Sequence, residues 1–412
     1  MPANNSKNKF IFSSRVERVP LALSIYINDI VYAQKRRGFD VTTLSLGEAF
    51  FDIPQFDFSK IDFVKGYHYS DSQGMPELRQ KILDFYRSQY GCVIEGNEEV
   101  LVTAGSKAAI YLAILATVDA GQEVLIHEPA WLSYQEHARL VDATPKFIPF
   151  DMPVDRFSEF ITDRTRLLII NNPNNPAGRL YTADELANLV ACCRAHGVWL
   201  MVDEAYSDYL EPGQFHSALD FDPERNTVII ANSLSKNMGM SGWRIGYLIA
   251  HRELISRVLK LNQHIITCAP TLLQAYLTKY FDQIIAITLP QAREIVNKRQ
   301  RVAKMMDSLG IEYLPGNGTF YFFVSIGDFP ASSLDLALYL LLCHNISTVA
   351  GSAYGASTER FLRVSIGAES DERIANALAL LRSILHSRPD IPAKLPEKLT
   401  AFDIFPFNVV RD

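Results

Sequence analysis

The chain has little cysteine, no metal-ligand pattern and no long apolar run, and each scarcity narrows what it can be. Its five cysteines among 412 residues (Cys92, Cys192, Cys193, Cys268, Cys343) form no CxxC pair and no zinc-type spacing. An odd count without a secretory signal fits reduced thiols in a cytoplasmic protein. The nine histidines are scattered and no HExxH occurs, so no metal site is expected. No apolar run approaches a membrane-spanning length. The polar start Asn4-Asn5-Ser6-Lys7 does not read as a signal peptide. Excess positive charge is missing too. The formal net charge is −6, which argues against a broad nucleic-acid footprint. The basic run Lys35-Arg36-Arg37 is short and reads as a solvated helix end.

What is present is enough apolar residue, 48%, to bury sizeable cores in two or three domain-sized units. A middle block alternates between strand-like and helical patterns. Short, continuously apolar runs stand at Val100–Gly105, Glu123–Glu128, Pro145–Phe150, Arg166–Asn171, Val198–Asp203, Thr227–Ala231 and Gly246–Ala250. Such runs fit strands covered on both faces. Helical patterns intervene at Ser106–Val118 and at Thr182–His196, where Thr182 and Glu185 have capping-box spacing and Gly197 marks a stop. The alternation predicts an α/β fold with a mostly parallel seven-stranded sheet flanked by helices.

The flanks differ. A helix near Leu21–Arg37 and a strand at Thr42–Leu46 precede the block. Helices at Gln291–Leu309 and near Asp371–Leu385, with strands at Gly318–Ser325 and Phe361–Ser365, follow it. This predicts a large domain over 51–285 and a small α+β domain built from 1–50 and 286–386. The tail 387–412 holds four prolines and is expected to be irregular.

Four polar clusters each follow an apolar run: Gly105-Ser106, Asn171–Asn175, Asp203 and Ser233–Lys236. Ligands of such sheets bind beyond the carboxyl ends of the strands, so the clusters predict one composite site. Lys236 and Arg244 lie eight residues apart, beside small and hydroxyl residues. A lysine amine forms a Schiff base with an aldehyde, and an arginine fork with backbone amides holds a phosphate. Pyridoxal phosphate carries both groups on one ring. A carboxylate at Asp203, ending an apolar strand, needs a buried partner; a protonated pyridine nitrogen supplies one. Tyr206, three residues after Asp203, could share the ring hydroxyl with the Asn175 amide.

These residues and their order resemble the class I/II aminotransferases of the fold-type I pyridoxal-phosphate superfamily. The resemblance covers about residues 15 to 385. It rests on Tyr69-Ser-Asp-Ser-Gln-Gly-Met-Pro-Glu-Leu-Arg79, Ala104-Gly-Ser-Lys107, Asn171–Gly178, Asp203-Glu-Ala-Tyr206, Ser233–Lys236 with Gly242–Tyr247, and Phe361-Leu-Arg-Val-Ser365. It implies that Lys236 carries the cofactor and shuttles a proton, and that Asp203 pairs with the ring nitrogen. Asn175 and Tyr206 contact the ring oxygen, and Trp131 stacks on the ring. Gly105, Ser106, Ser233 and Arg244 hold the phosphate. Tyr69 reaches the neighbouring subunit's phosphate, which implies a homodimer with shared sites. Arg363 grips the substrate α-carboxylate, assisted by Gly47 and Asn175. Lys107 matches a position that contacts a distal carboxylate, so glutamate or aspartate is expected as one partner. The loop Leu46-Gly-Glu-Ala-Phe50 lacks the family's usual proline, and Ala177 replaces its usual threonine. The implied activity is amino transfer between an L-amino acid and a 2-oxo acid in two half-reactions. A C–S lyase or an enzyme similar to aminocyclopropane-carboxylate synthase is the alternative within the superfamily. A non-catalytic regulator on the same fold is disfavoured by the intact Lys236 and by an N-terminus too short for a DNA-binding extension.

Overall fold

The computed structural model describes residues 10–391 and Leu395; the expected irregular tail lies, from 392 on, outside the described residues apart from Leu395. Eight strands come first in the chain: β1 (Thr42–Thr43), β2 (Val100–Thr103), β3 (Glu123–His127), β4 (Thr144–Ile148), β5 (Thr165–Asn171), β6 (Trp199–Asp203), β7 (Val228–Ser233) and β8 (Gly246–Ile249). All but β1 join one seven-stranded sheet in the order β2-β8-β7-β6-β5-β3-β4. Its β4-β3-β5-β6-β7 stretch is parallel throughout, and β8 runs antiparallel to both β7 and β2. The seven apolar runs are therefore the sheet strands, with ends that coincide or are displaced by one or two residues.

Register explains why the polar clusters meet. Asn171 pairs with Asp203, Asp203 with Ala231, Ser233 with Gly246, and Thr103 with the same Gly246. One edge of the sheet thus gathers the ends of four strands and the start of the fifth. Above it sits the helix Ser106–Thr117. A Cβ on Gly246 would come within 2.2 Å of the Ser106 amide nitrogen, so only glycine lets this helix begin so close to β8.

Behind that edge the strands are buried on both faces. Leu168, Ile170, Leu200, Val202, Val228 and Ile230 pack on one side, and Leu167, Ile169, Met201, Ile229 and Ala231 on the other. Each of the leucine, isoleucine, valine and methionine side chains contributes about 1.5–3 kcal/mol on leaving water. The helix Ala183–His196 covers the first side and carries the expected Thr182–Glu185 capping box, ending on Gly197 in the left-handed region.

A separate core joins the chain ends. Ile27, Ile30 and Val31 of the helix Leu23–Arg36 pack with Phe320–Val324, Leu336–Leu342 and Leu362. Strands β9 (Tyr321–Ser325), β10 (Ile346–Ser347), β11 (Val349–Ala350) and β12 (Phe361–Ser365) belong here. The order β11-β12-β9 is antiparallel, and β10 pairs with β1. Two short strands, β10 and β11, carry too few residues to show periodicity and were not anticipated.

The expected helix Gln291–Leu309 is the second half of a single helix, Thr271–Leu309, with Pro290 inside it. Proline in a helix interior costs roughly 3 kcal/mol. Tyr276, Leu277, Phe281 and Ile284 before it are buried in the sheet-side core, and Ala292, Ile295, Val302 and Met306 after it in the chain-end core. Burial on both sides outweighs the proline. A boundary at residue 285 falls inside this helix.

Candidate active site

Asp203 ends β6 buried, with 6% of its surface exposed. Its two oxygens are separately held: the Tyr134 hydroxyl donates to Oδ2 at 2.7 Å and the Ala205 amide to Oδ1 at 3.1 Å. Burial raises its proton affinity, and the bond from Tyr134 opposes the rise. No cation among the described residues pairs with it at salt-bridge distance, so the carboxylate is available to one from a ligand.

Lys236 stands on the single helical turn Leu234–Asn237 that follows β7. The Ser233 hydroxyl caps that turn by accepting from the Ser235 amide at 3.0 Å, and the Tyr209 hydroxyl donates to the Lys236 carbonyl at 2.8 Å. The lysine Nζ donates to the Gly47 carbonyl at 2.5 Å and lies 5.7 Å from the Tyr206 ring centre. Burial lowers its pKa to about 8, with the Glu48 carboxylate pulling the other way. A buried amine of this kind is neutral in a sizeable fraction near physiological pH, as a nucleophile must be.

The Asn171–Gly178 loop places Asn175. Its amide nitrogen donates to Asn171 Oδ1 at 2.5 Å, and its side-chain nitrogen to the Tyr206 hydroxyl at 3.2 Å. Tyr206 in turn shares a 3.0 Å hydroxyl contact with Tyr321 of β9. Arg363, from β12, is 3% exposed. It donates to the Ser45 carbonyl at 2.7 Å and to Asn175 Oδ1 at 3.4 Å, while its Nε has no partner among the described residues. The guanidinium lies over Tyr321 at 4.5 Å and Tyr354 at 5.4 Å. A buried cation with a free donor is poised for an arriving carboxylate.

At the other end, Gly105 has φ +83°, and a Cβ there would sit 2.4 Å from Arg244 Nη2. Arg244 itself takes a left-handed conformation, φ 58°, uncommon outside glycine, and donates to the Ser241 carbonyl at 2.7 Å. Ser106 begins a helix of 12 residues, whose free amides and dipole favour an anion. Lys107, on the same turn, is 5.1 Å from the Trp131 ring centre. Burial lowers its pKa, and the nearby Arg244 lowers it further.

One cavity of about 450 Å³ unites these groups. Gly47, Ser106, Lys107, Trp131, Asn175, Asp203, Tyr206, Ser233, Lys236, Arg244 and Arg363 all line it. Gly105 backs it through Arg244. Tyr69 does not line it; the side chain is 83% exposed. Sequence reasoning missed Tyr134, Glu48 and Tyr321. Tyr134 stands three residues after Trp131, in the first turn of the helix Ser133–Leu140 that Trp131 precedes. Tyr321 lay in an apolar strand and gave no polar signal.

The arrangement fits a phosphorylated pyridine aldehyde. A buried carboxylate without a counter-ion suits the ring nitrogen, paired hydroxyl and amide suit the ring oxygen, and a helix start beside an arginine suits the phosphate.

Comparison with known proteins agrees. A family model for aminotransferase class I and II matches residues 58–381. An aspartate aminotransferase of Pyrococcus horikoshii is 30% identical, over 90% of this chain and 96% of that protein. A (5-formylfuran-3-yl)methyl phosphate transaminase of Methanocaldococcus jannaschii is 30% identical, over 88% and 97%. Among solved structures, the aspartate aminotransferase of Thermus thermophilus with maleate superposes with a TM-score of 0.81 at 26% identity, covering 90% of this chain and 100% of that one. A Mycobacterium tuberculosis aminotransferase gives 0.84 at 26% identity, covering 92% and 100%. With the family model spanning most of the chain and the site assembled at the sheet edge, this protein belongs to the class I and II aminotransferases and has their fold-type I architecture.

Proposed function

We propose that this aminotransferase uses pyridoxal 5′-phosphate to move an amino group between an L-amino acid and a 2-oxo acid, with glutamate or aspartate as one partner. The convergence of Lys236, Asp203 and Arg363 on one cavity carries the reading. The cofactor, when bound, supplies an electron sink that stabilises a carbanion at the substrate α-carbon. The chain supplies the rest. Lys236 Nζ takes a proton from one carbon and returns it to another. Asp203 holds a proton on the ring nitrogen. Asn175 and Tyr206 hydrogen-bond the ring oxygen, and Trp131 covers the ring face. Gly105, Ser106, Ser233 and Arg244 hold the phosphate. Arg363, with Asn175, fixes the substrate α-carboxylate so that the α-proton faces Lys236.

Lys107 supports the choice of a dicarboxylic partner. It is a cation with no carboxylate at salt-bridge distance among the described residues, at the mouth of the same cavity. Two further supports come from relatives: several are named aspartate aminotransferases, and one neighbour was solved with maleate. A homodimer and a two-domain division at about residues 50 and 285 are part of the proposal. Tyr69 and its neighbours Tyr67 and Val64 are strongly exposed, as a segment that meets a second subunit would be in one chain alone. Among the described residues no helix is long and apolar enough to cross a membrane.

The test is a half-reaction screen. Purified holoenzyme is mixed with each of the common L-amino acids, and the visible band of the bound cofactor is followed. Loss of that band with glutamate or aspartate, and its return on adding a 2-oxo acid, is expected. Release of pyruvate or ammonia without a returning band would favour elimination chemistry.

A further inference from the structure

Arg299 is a buried cation that the chemistry above does not use. It lies on the long helix Thr271–Leu309, 3% exposed, and its hydrogen bonds among the described residues go to carbonyl oxygens alone. Nη2 donates to Gly316 O at 2.8 Å and Ala177 O at 3.4 Å, Nε to Gly316 O at 3.3 Å, and Nη1 to Tyr321 O. The guanidinium also sits 4.0 Å from the Phe322 ring centre. These carbonyls come from two segments that meet at a seam. Ala177 belongs to the loop that carries Asn175, and Gly316 and Tyr321 flank the turn that enters β9.

Glycine makes the seam possible. Gly318 N donates to Gly178 O at 2.9 Å. A Cβ on Gly316 would come 2.3 Å from the Gly178 carbonyl carbon, and one on Gly318 would come 2.6 Å from Pro173 Cβ. The segments are in backbone-to-backbone contact, with one guanidinium clamped across them. Each segment delivers a group to the substrate side of the cavity. The first delivers Asn175, which faces Arg363 at 3.4 Å. The second delivers Tyr321, which lies under Arg363 and meets Tyr206.

We infer that Arg299 is a positioning residue for the substrate-carboxylate site: its fork sets the Asn175 loop against Tyr321 and Arg363. A guanidinium suits this place because its planar fork reaches several carbonyls at once and its charge persists when buried. Lysine offers only a point charge there. The residues proposed for the phosphate, Gly105, Ser106, Ser233 and Arg244, make no hydrogen bond to either segment among the described residues; among the bonds that Gly105, Ser233 and Arg244 do make are those with Thr103, Ile245, Ser235 and Ser241. Asn175 and Tyr206 also serve the ring oxygen, so disturbing the seam weakens amino-acid binding more than cofactor retention, which Lys236 and the phosphate residues carry.

The inference rests on the role proposed for Arg363. Three variants are compared as holoenzymes: Arg299→Lys, Arg299→Met and Gly318→Ala, with Arg363→Lys measured beside them. The probe is whichever L-amino acid reacts fastest with the wild type. Measured are its KM and kcat, its apparent Kd from the visible band, cofactor content after gel filtration, and Tm. Arg299→Lys and Gly318→Ala should raise KM and Kd about tenfold to a hundredfold, as a displacement near 1 Å at a reacting site does. Cofactor content should fall far less than amino-acid affinity. Gly318→Ala strains the seam from the opposite side with Arg299 intact, so it keeps the test open should Arg299→Met fail to fold. Unchanged KM and Kd in both, with only Tm lowered, would overturn the inference, and so would a parallel loss of cofactor. If Arg363→Lys itself leaves Kd unchanged, the assignment of the carboxylate site fails instead.

Discussion

Replacing Asp203 by asparagine separates what this residue does for the fold from what it does for the reaction. The local network survives the change. An asparagine Oδ1 still accepts from the Ala205 amide, and its Nδ2 donates to the Tyr134 oxygen, which a hydroxyl permits by rotating. The negative charge is lost. A contact ion pair at 4 Å is worth ~4 kcal/mol at an effective dielectric near 20. Desolvation offsets part of that, leaving about 2–3 kcal/mol for holding the ring proton, or about thirtyfold to somewhat over a hundredfold in kcat/KM. Stability moves the other way. Burial raises this carboxyl's proton affinity in the folded chain. The stability it carries is therefore complete below the ordinary carboxylate range and is lost as pH rises through the raised value. Asparagine has no such slope. The apoprotein variant should then melt no lower than wild type at pH 8, and the difference should shrink on acidification. The assays are single-turnover absorbance with the best amino donor and apoprotein melts at several pH values. A Tm lowered by more than about 4 °C, with kcat/KM within about threefold of wild type, would refute the reasoning.

Lys236→Ala should fold and retain cofactor, with essentially no turnover, and Lys236→Arg should not restore it because a guanidinium stays protonated. In the apoprotein, amine labelling of Lys236 followed by peptide mass spectrometry should be half-maximal near pH about 8; a midpoint in the ordinary lysine range would reject the account of its burial. Lys107→Ala should weaken glutamate and aspartate about tenfold to a hundredfold, as loss of a charge-assisted contact does, and spare neutral donors; an equal loss for all donors would assign Lys107 to the phosphate or the fold. Heterodimers of Tyr69→Phe with Lys236→Ala hold one wild-type site and one doubly damaged site, so their activity per Lys236 site should exceed that of the Tyr69→Phe homodimer; activity that simply tracks the amount of Lys236 protein, whatever the Tyr69 partner, would remove Tyr69 from any cross-subunit contact.

The site was legible because parallel strands are short, apolar and punctuated. A buried strand tolerates a polar residue only where it emerges, so Asn171, Asp203 and Ser233 marked the sheet edge before any pairing was known. Motif order then supplied roles that spacing alone could not. What stayed hidden shares a cause. Tyr134, Tyr321 and Arg299 act through contacts between segments distant in sequence, and each sits in a pattern that local periodicity explains as core. The continuous helix Thr271–Leu309 was hidden for the same reason: Pro290 is a local stop signal, overruled by burial against two different cores on either side of it.

The buried charges in and beside the site also show how it sets binding energy against stability. Asp203, Lys236, Arg363 and Arg299 are ionisable groups taken out of water, and none has an opposite charge of the protein at salt-bridge distance among the described residues. Each is held instead by neutral partners: a tyrosine hydroxyl and an amide for Asp203, a carbonyl for Lys236, a carbonyl and an amide oxygen for Arg363, carbonyls for Arg299. Neutral dipoles fix orientation without neutralising charge. A salt bridge within the chain would stabilise each group more, but a ligand would first have to break it. The apolar cores on both sides of the sheet supply the stability that allows these charges to stay uncompensated. An arriving carboxylate, phosphate or ring cation then has no ion pair of the chain to break first, and meets dipoles that are already oriented. Arg299 differs from the other three in lying outside the cavity that they line. Its charge strengthens bonds to carbonyls on both sides of the seam, which spends the same kind of interaction on geometry rather than on binding.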